Sequence, residues 1–265
     1  MNPVLAALRD APHCSVSSIK SYLMCPMKYR HRYIEKTEPS HRNIALVLGR
    51  ALHDAIESFY RFVQKEDGAP PLQLLTDTFT TSWSRGALGD VPLRSDDIGA
   101  DKDMGVALVE AFLATVSMPL KVLAVEEAFS FPVADDDDRL VVGAIDAVVV
   151  DEDGRIVIVE NKSAKRRWSA DQLNYDFQPT LYTHATREMG LADHPTLRYD
   201  FLLKLKKPAM ESVEICRSEL QINEAFHLLR QVLRAIDEGI FYRLRSWACT
   251  DCEFGHVCNK IPGPA

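Results

Sequence analysis

Four cysteines bracket this chain: Cys25 near its start, and Cys249, Cys252 and Cys258 near its end. The late group, Cys-x2-Cys-x5-Cys, is one thiolate short of a four-ligand metal centre. Cys25, in Met24-Cys25-Pro26, is the obvious fourth donor. If the four meet, the fold must bring its two ends together around everything between them. Three thiols within ten residues are not a chance grouping, and two readings stand for them. One is zinc, with His256 as a substitute ligand. The other is an iron–sulfur cluster; zinc modules usually pair two close-spaced knuckles, and Cys25 has no neighbouring partner. Trp247 and Phe254 are expected to form an apolar jacket around the cysteines. Cys14 and Cys216 fall outside the pattern and read as ordinary thiols.

The chain's 265 residues, 46% of them apolar, suit one elaborated domain or one core with smaller lobes. A net charge of −7 argues against indiscriminate coating of nucleic acid. It leaves room for a nucleic-acid enzyme whose metal-binding acids carry part of that charge. No apolar run reaches membrane-span length, and no basic segment precedes an apolar one at the N-terminus. The expectation is a cytoplasmic protein with no membrane association. In a reducing compartment clustered cysteines bind metal rather than pair.

Residues 15–25 read as a serine-capped helix stopped at Cys25-Pro26. An apolar stripe of Leu48, Leu52, Ile56, Phe59 and Val63 predicts a helix over 45–64, with further helices over 72–85 and 103–117. Extended segments follow at 121–133 and 140–150, with Asp135 to Asp138 as a solvated turn. Asp151-Glu152-Asp153-Gly154 signals a hairpin leading into a strand over 155–160. Helices are expected at 176–189 and 221–238, the second stopped by Gly239, and strands at 197–205 and 211–216. Helices first, then a hairpin with alternating elements, indicate an α/β core with a helical lobe. The expected units are an N-terminal helical lobe over 1–120, a core over 121–240 and a C-terminal cysteine region over 241–265 that packs back on the lobe.

The chemistry concentrates in Gly143-Ala144-Ile145-Asp146, Glu160-Asn161-Lys162 and Gln178 to Tyr182. Glu160 and Lys162 are two apart on a strand and share a face. Asp146 lies on the preceding strand, where a suitable register sets its carboxylate beside that of Glu160. Two convergent carboxylates, with the Asn161 backbone carbonyl, are the hard oxygen ligands that Mg²⁺ or Mn²⁺ takes. A lysine beside such an ion orients the attacking water or offsets phosphate charge. Taken singly, each feature has a plainer reading: a solvated strand end, or a neighbouring ion pair. Their place at the ends of nearly all-apolar strands favours a task. Gln178 and Tyr182 share a helix face. Gln178 is placed to support Lys162, and Tyr182 to touch the metal or substrate. His53 is either a satisfied, half-buried histidine or a donor completing the metal shell, better suited to Mn²⁺ than to Mg²⁺.

Lys165-Arg166-Arg167-Trp168 follows the catalytic strand directly. It reads as a cationic loop with an aromatic for stacking a DNA strand. Lys28, Arg30, His31 and Arg32, and likewise Lys204, Lys206 and Lys207, are either further phosphate contacts or ordinary solvated basic stretches.

Taken in order, these residues resemble the RecB-family nuclease branch of the PD-(D/E)xK superfamily. The resemblance runs from about Ser15 through Cys25, Gly49-Arg50-Ala51-Leu52-His53, Asp146, Glu160-Asn161-Lys162 and Gln178 to Tyr182, ending at Cys258. The final cysteines are similar to those of its iron–sulfur members, the CRISPR-adaptation and AddB-type exonucleases among them. One departure is Glu160, where many members carry Asp. The resemblance implies a restriction-endonuclease-like core with a central mixed sheet, an N-terminal helical lobe and a C-terminal iron–sulfur clasp. It implies His53, Asp146, Glu160 and the Asn161 carbonyl as ligands of Mg²⁺ or Mn²⁺, Lys162 as catalytic lysine, and Gln178 and Tyr182 as a supporting motif. It further implies a [4Fe–4S] cluster on Cys25, Cys249, Cys252 and Cys258, with zinc as the alternative. The activity implied is a metal-dependent DNA exonuclease acting on single strands or ends in recombination, repair or CRISPR adaptation, with a protein partner from one of those processes. The alternative is a weakly active or non-catalytic DNA-binding or assembly subunit with the same fold.

Overall fold

Apolar runs in the second half of the chain form a six-stranded mixed sheet, and amphipathic helices cover both of its faces. The computed structural model describes residues 3–10, 12–134 and 137–259. In chain order the elements are α1 (Pro3–Leu8), β1 (His13–Ser15), α2 (Val16–Met24), α3 (Pro26–Tyr29), a π-helical turn (Arg30–Ile34), β2 (Arg42–Asn43) and α4 (Ile44–Val63). Then come α5 (Leu72–Ala87), β3 (Leu93–Arg94), α6 (Ile98–Thr115), β4 (Lys121–Ala134), β5 (Asp137–Val150) and β6 (Ile156–Ala164). Next are α7 (Ala170–Asn174), α8 (Phe177–Glu188), β7 (Thr196–Leu203), β8 (Ala209–Ile215) and α9 (Glu219–Asp237). A 3₁₀ turn (Trp247–Cys249) and α10 (Gly255–Cys258) end the described chain. The α/β class and mixed sheet expected from the sequence are present.

The central strand is β5. Along one edge β4 pairs with it antiparallel over its whole length. The other edge is divided. Its first part takes β1 in parallel, His13↔Leu140 to Ser15↔Val142, and its last part takes β6 antiparallel, Ala147↔Val159 to Val150↔Ile156. Between Val142 and Ala147 that edge has no strand partner among the described residues, so the sheet forks there. The expected end of β6 at Glu160 falls short for this reason. After leaving β5 the strand continues to Ala164, held by its parallel ladder to β7 up to Ala164↔Leu203. β8 closes the sheet antiparallel to β7. The turn expected over Asp135 to Asp138 begins outside the described residues, while Asp137 and Asp138 already belong to β5.

One apolar layer packs α2, α8 and α9 on the sheet through Ile19, Tyr22, Leu181, Leu229 and Val232. The other packs α4, α5 and α6 through Leu48, Leu52, Phe59, Phe79 and Phe112. With both faces covered, Val157, Ile158 and Val159 of β6 are all fully buried, which is why that strand reads as a continuous apolar run. Gly143, at the fork, lets the Phe129 ring lie against the backbone of β5, because a Cβ there would sit 2.4 Å from Phe129 Cζ. No described helix is long and apolar enough to cross a membrane.

Polar contacts join the tail to the N-terminal segment. Glu253 pairs with Lys28 at 3.0 Å and with Arg32. Asp251 takes His41 at 3.3 Å, Arg94 at 2.9 Å and the Asn43 amide at 3.1 Å. Met27 N–H donates to the Tyr242 carbonyl, and the Tyr22 hydroxyl to that of Ile240.

Candidate metal and catalytic site

Asp146 occupies the fork. Continuing the β5–β6 register by one pair sets Asp146 opposite Glu160, where the ladder stops. In place of a ladder bond, Asn161 N–H donates to Asp146 Oδ2 at 2.9 Å, and the Asn161 side-chain amide donates to the same oxygen at 3.1 Å. His53, presented from the middle of α4, sets Nδ1 3.3 Å from it. Asn43 fixes the start of that helix, its side chain accepting the Ala45 N–H at 2.8 Å.

Glu160 is held in a similar way. Its Oε1 accepts from Lys162 Nζ and from Gln178 Nε2 at 2.8 Å. Lys162 Nζ also donates to Gln178 Oε1 at 3.0 Å. Gln178 Nε2 donates to the Tyr182 hydroxyl at 2.8 Å, and that hydroxyl donates to the Ala144 carbonyl at 2.9 Å, on the open edge of β5. Tyr182 therefore acts as a strut from α8 to the fork. The Tyr182 side chain also lines the cleft onto which Glu160 and Lys162 open. Asp176 sets the position of α8: it caps the helix, pairs with Lys20 at 2.7 Å and accepts from the Tyr199 hydroxyl at 2.5 Å.

Each central carboxylate thus has one oxygen fastened by protein donors. The second Glu160 oxygen, Oε2, is buried without a hydrogen-bond partner on a side chain 2% exposed. An unpaired buried carboxylate oxygen is costly unless a cation answers it. The charges are coupled accordingly. Burial raises the Glu160 carboxyl, and the charge of Asp146 raises it further. Burial also opposes ionisation of Asp146, but His53 and the Asn161 amide outweigh it and hold that carboxyl below its usual range. Asp146 in turn raises His53 to about 9, against the effect of burial. Lys162 is raised because the attraction of Glu160 overcomes its own burial. A set of hard oxygen donors with one imidazole fits a divalent ion such as Mg²⁺ or Mn²⁺.

Glu126 was not foreseen as part of this group. The pairs Val125↔Ala147 and Glu127↔Ile145 bracket it opposite Asp146 on the β4 side. Ligand atoms of His53, Glu126 and Asp146 all lie within 4.8 Å of one another. The sequence carried half of the signal. A hairpin turning near Asp135 to Asp138 brings either Glu126 or Glu127 opposite Asp146, and only the register decides between them.

His53, Asp146, Glu160, Lys162, Gln178 and Tyr182 open on a cleft of about 710 Å³ that Arg9, Lys20, Lys28, Arg32 and Arg50 also line, whereas Glu126 lines a neighbouring depression with Arg9, Arg50 and Arg61. The 165–168 segment lies elsewhere. Arg166, Arg167 and Trp168 border a separate depression with Gln172 and Glu211. The Trp168 ring packs on Tyr199 and Phe201 with Lys20 over it at 5.7 Å, and Lys165 is exposed. Cys25, Cys249, Cys252 and Cys258 line one cavity of about 110 Å³ with Phe254, and Lys28 stands in the wall between that cavity and the cleft. No three of the described cysteines bring their sulfurs within 4.8 Å of one another. Trp247 is 82% exposed and is not part of the lining, so of the expected jacket only Phe254 is in place.

The family model of the PD-(D/E)XK nuclease superfamily matches residues 13–259, from β1 to the last described residue. The chain belongs to this superfamily. Among solved structures it is similar to a protein from Eubacterium rectale provisionally assigned as an exonuclease. The TM-score is 0.56 at 14% identity, over 96% of this chain and 90% of that one, a likeness of fold. A second structure, SSO0001, aligns over 91% of this chain and 93% of its own at 12% identity, with a TM-score of 0.39 that carries no weight. No curated protein matches the sequence.

Proposed function

We propose that the chain is a metal-dependent deoxyribonuclease, an exonuclease that hydrolyses phosphodiester bonds in single-stranded DNA or at DNA ends. The observation that carries this reading is the pair of carboxylates at the fork, each anchored through one oxygen, with Glu160 Oε2 buried and unpaired beside Lys162. His53, Asp146, Glu160 and the Asn161 backbone carbonyl are assigned to a Mg²⁺ or Mn²⁺ ion. Such an ion supplies Lewis-acid polarisation of the phosphate and a more acidic water. Lys162, held between Glu160 and Gln178, orients the attacking water and offsets charge on the phosphate as the 3′-oxygen leaves. Gln178 positions Lys162 and Glu160 together, and Tyr182 fixes Gln178 against the backbone of β5.

The strand is led in by the five cations of the cleft, whose positive rim suits a polyanion despite the net charge of −7. Lys165, Arg166, Arg167 and Trp168 are assigned to a more distant part of the strand. Cys25, Cys249, Cys252 and Cys258 are assigned to a [4Fe–4S] cluster. Their shared cavity supports this reading. The cluster's role is structural, in the clasp that Glu253 and Asp251 already form, and the pathway is recombination, repair or CRISPR adaptation with a protein partner.

The test is digestion of end-labelled single- and double-stranded DNA with Mg²⁺ or Mn²⁺ after anaerobic purification. Wild type should shorten the DNA, while Asp146→Ala, Glu160→Ala and Lys162→Ala should not. Variants that cut like wild type, or a wild type that cuts no end, would remove the enzymatic reading. Iron and sulfide analysis decides the cluster; zinc in equal amount overturns it.

A further inference from the structure

Tyr175, in the turn between α7 and α8, is the most exposed of the large apolar and aromatic side chains described, at 85%. Its backbone, by contrast, is fastened on both sides. A capping box of Ser169 and Gln172 starts α7, and Tyr175 N–H donates to the Asp171 carbonyl at 2.9 Å. Buried Arg217 clamps the turn from beneath. Its Nη2 donates to the Leu173 carbonyl at 2.6 Å and to the Asp176 carbonyl at 3.3 Å, one on each side of Tyr175. Its Nε donates to the Thr180 hydroxyl of α8 at 2.9 Å. Burying a guanidinium is costly, and this one directs its donors to the turn that carries an exposed ring. Asp176, the next residue, is tied to Lys20, Tyr199 and the N-terminus of α8.

The turn stands between the two places assigned to DNA above. Gln172, three residues before Tyr175, lines the depression of Arg166 and Arg167. Gln178, three residues after it, lines the cleft and bonds both Lys162 and Glu160. Three residues of chain keep the Cα atoms of Tyr175 and Gln178 within about 11 Å of each other. Lys20 joins the two places as well: it lines the cleft, pairs with Asp176 at 2.7 Å and lies 5.7 Å over the Trp168 ring. A strand that runs from the fork to Arg166 and Arg167 therefore passes Tyr175. We propose, on the deoxyribonuclease reading of the cleft, that Tyr175 is a stacking platform for one unpaired base of the DNA strand, flanking the phosphate to be cut. Every base has a π-face, so such a contact holds the strand without reading its sequence. Because the turn is already fixed, stacking restricts little more than the ring itself. Lys20 on one side and Arg166 and Arg167 on the other supply the phosphate contacts.

The experiment is fluorescence anisotropy of end-labelled single-stranded oligonucleotides on the anaerobically purified full chain. Ca²⁺, which takes the same oxygen ligands, stands in for the catalytic ion. A single abasic site is moved along the strand, and each oligonucleotide is compared with the intact one. Wild type should lose about 5–150-fold in affinity when the abasic site falls at one position, the worth of one aromatic–base stack. Tyr175→Ala should bind the intact strand more weakly by that factor and show no further loss at that position. Tyr175→Trp should bind like wild type. If Tyr175→Ala binds the intact strand as wild type does, or still loses affinity at that position, Tyr175 is not the platform and the nuclease reading stands without it. If wild type binds no single strand at all, the deoxyribonuclease reading fails as well. Because the ring is exposed, Tyr175→Ala should melt like wild type, checked by circular dichroism. Should it not fold, Tyr175→Leu keeps an apolar side chain without a π-face, and the same abasic series decides.

Discussion

Replacing Lys162 by methionine keeps the length of the side chain and removes its charge. Lys162 is 23% exposed and Glu160 2%, so the variant strands a carboxylate in a nearly dry place. Breaking a fully buried ion pair costs about 3–5 kcal/mol. The cost here is lower, because Gln178 Nε2 still donates to Glu160 Oε1 and the cleft admits water at the lysine end. An expected loss of about 2 kcal/mol corresponds to a Tm drop of about 4–8 °C for a chain of this size. The pH dependence follows from Glu160. Its carboxyl is already raised by burial, and loss of Lys162 raises it further. A carboxyl raised in the folded state binds its proton more tightly there than in the unfolded chain. The penalty is therefore absent below the unfolded pKa of about 4.3, grows as pH rises toward the folded value, and levels off above it. The Tm deficit of Lys162→Met should thus be larger at pH 8 than at pH 5, measured by thermal denaturation in the presence of chelator. Hydrolysis of end-labelled DNA with Mn²⁺ should fall by about 10²–10⁴-fold, with the iron content unchanged. A variant with wild-type Tm at pH 8 and hydrolysis within about twofold of wild type would refute both the buried pair and the role of the lysine.

Further tests follow from neighbouring groups. Tyr182→Phe removes the donor to the Ala144 carbonyl; it should cost about 1 kcal/mol in chemical denaturation and lower kcat more than it raises KM, since Gln178 loses its anchor. Gly143→Ala should destabilise by about 1–3 kcal/mol, because Phe129 is stacked on Phe131 and edge-on to Tyr182 and has nowhere to retreat. Glu253→Ala releases Lys28 and Arg32 together and should make the chain beyond Ile240 cleavable in limited proteolysis under conditions where wild type resists.

The parts of the site that were legible in the sequence are those that interrupt a strong local pattern. Asp146, Glu160 and Lys162 stand out because the strands around them are apolar enough to be buried on both faces. The helices at 16–24, 44–63 and 219–237 follow from their caps and stripes. What could not be read depends on pairing between distant segments. Glu126 sits in Ala124-Val125-Glu126-Glu127-Ala128, where two adjacent glutamates look alike until register sets one opposite Asp146 and leaves the other to solvent. β1 is too short to announce itself and exists because the open edge of β5 accepts it. Trp168 reads as a stacking aromatic from its basic neighbours, yet its ring packs on the buried Tyr199 and Phe201 of β7.

The return of the tail also has a consequence for synthesis. Glu253 and Asp251 are synthesised after all of their partners, Lys28, Arg32, His41 and Arg94. Until those two acids emerge, Lys28 and Arg32 lack this counter-charge. The order of translation thus makes the negative clasp a late step, so that the cationic approach to the fork is tempered only after the segment carrying Asp251 and Glu253 has been made.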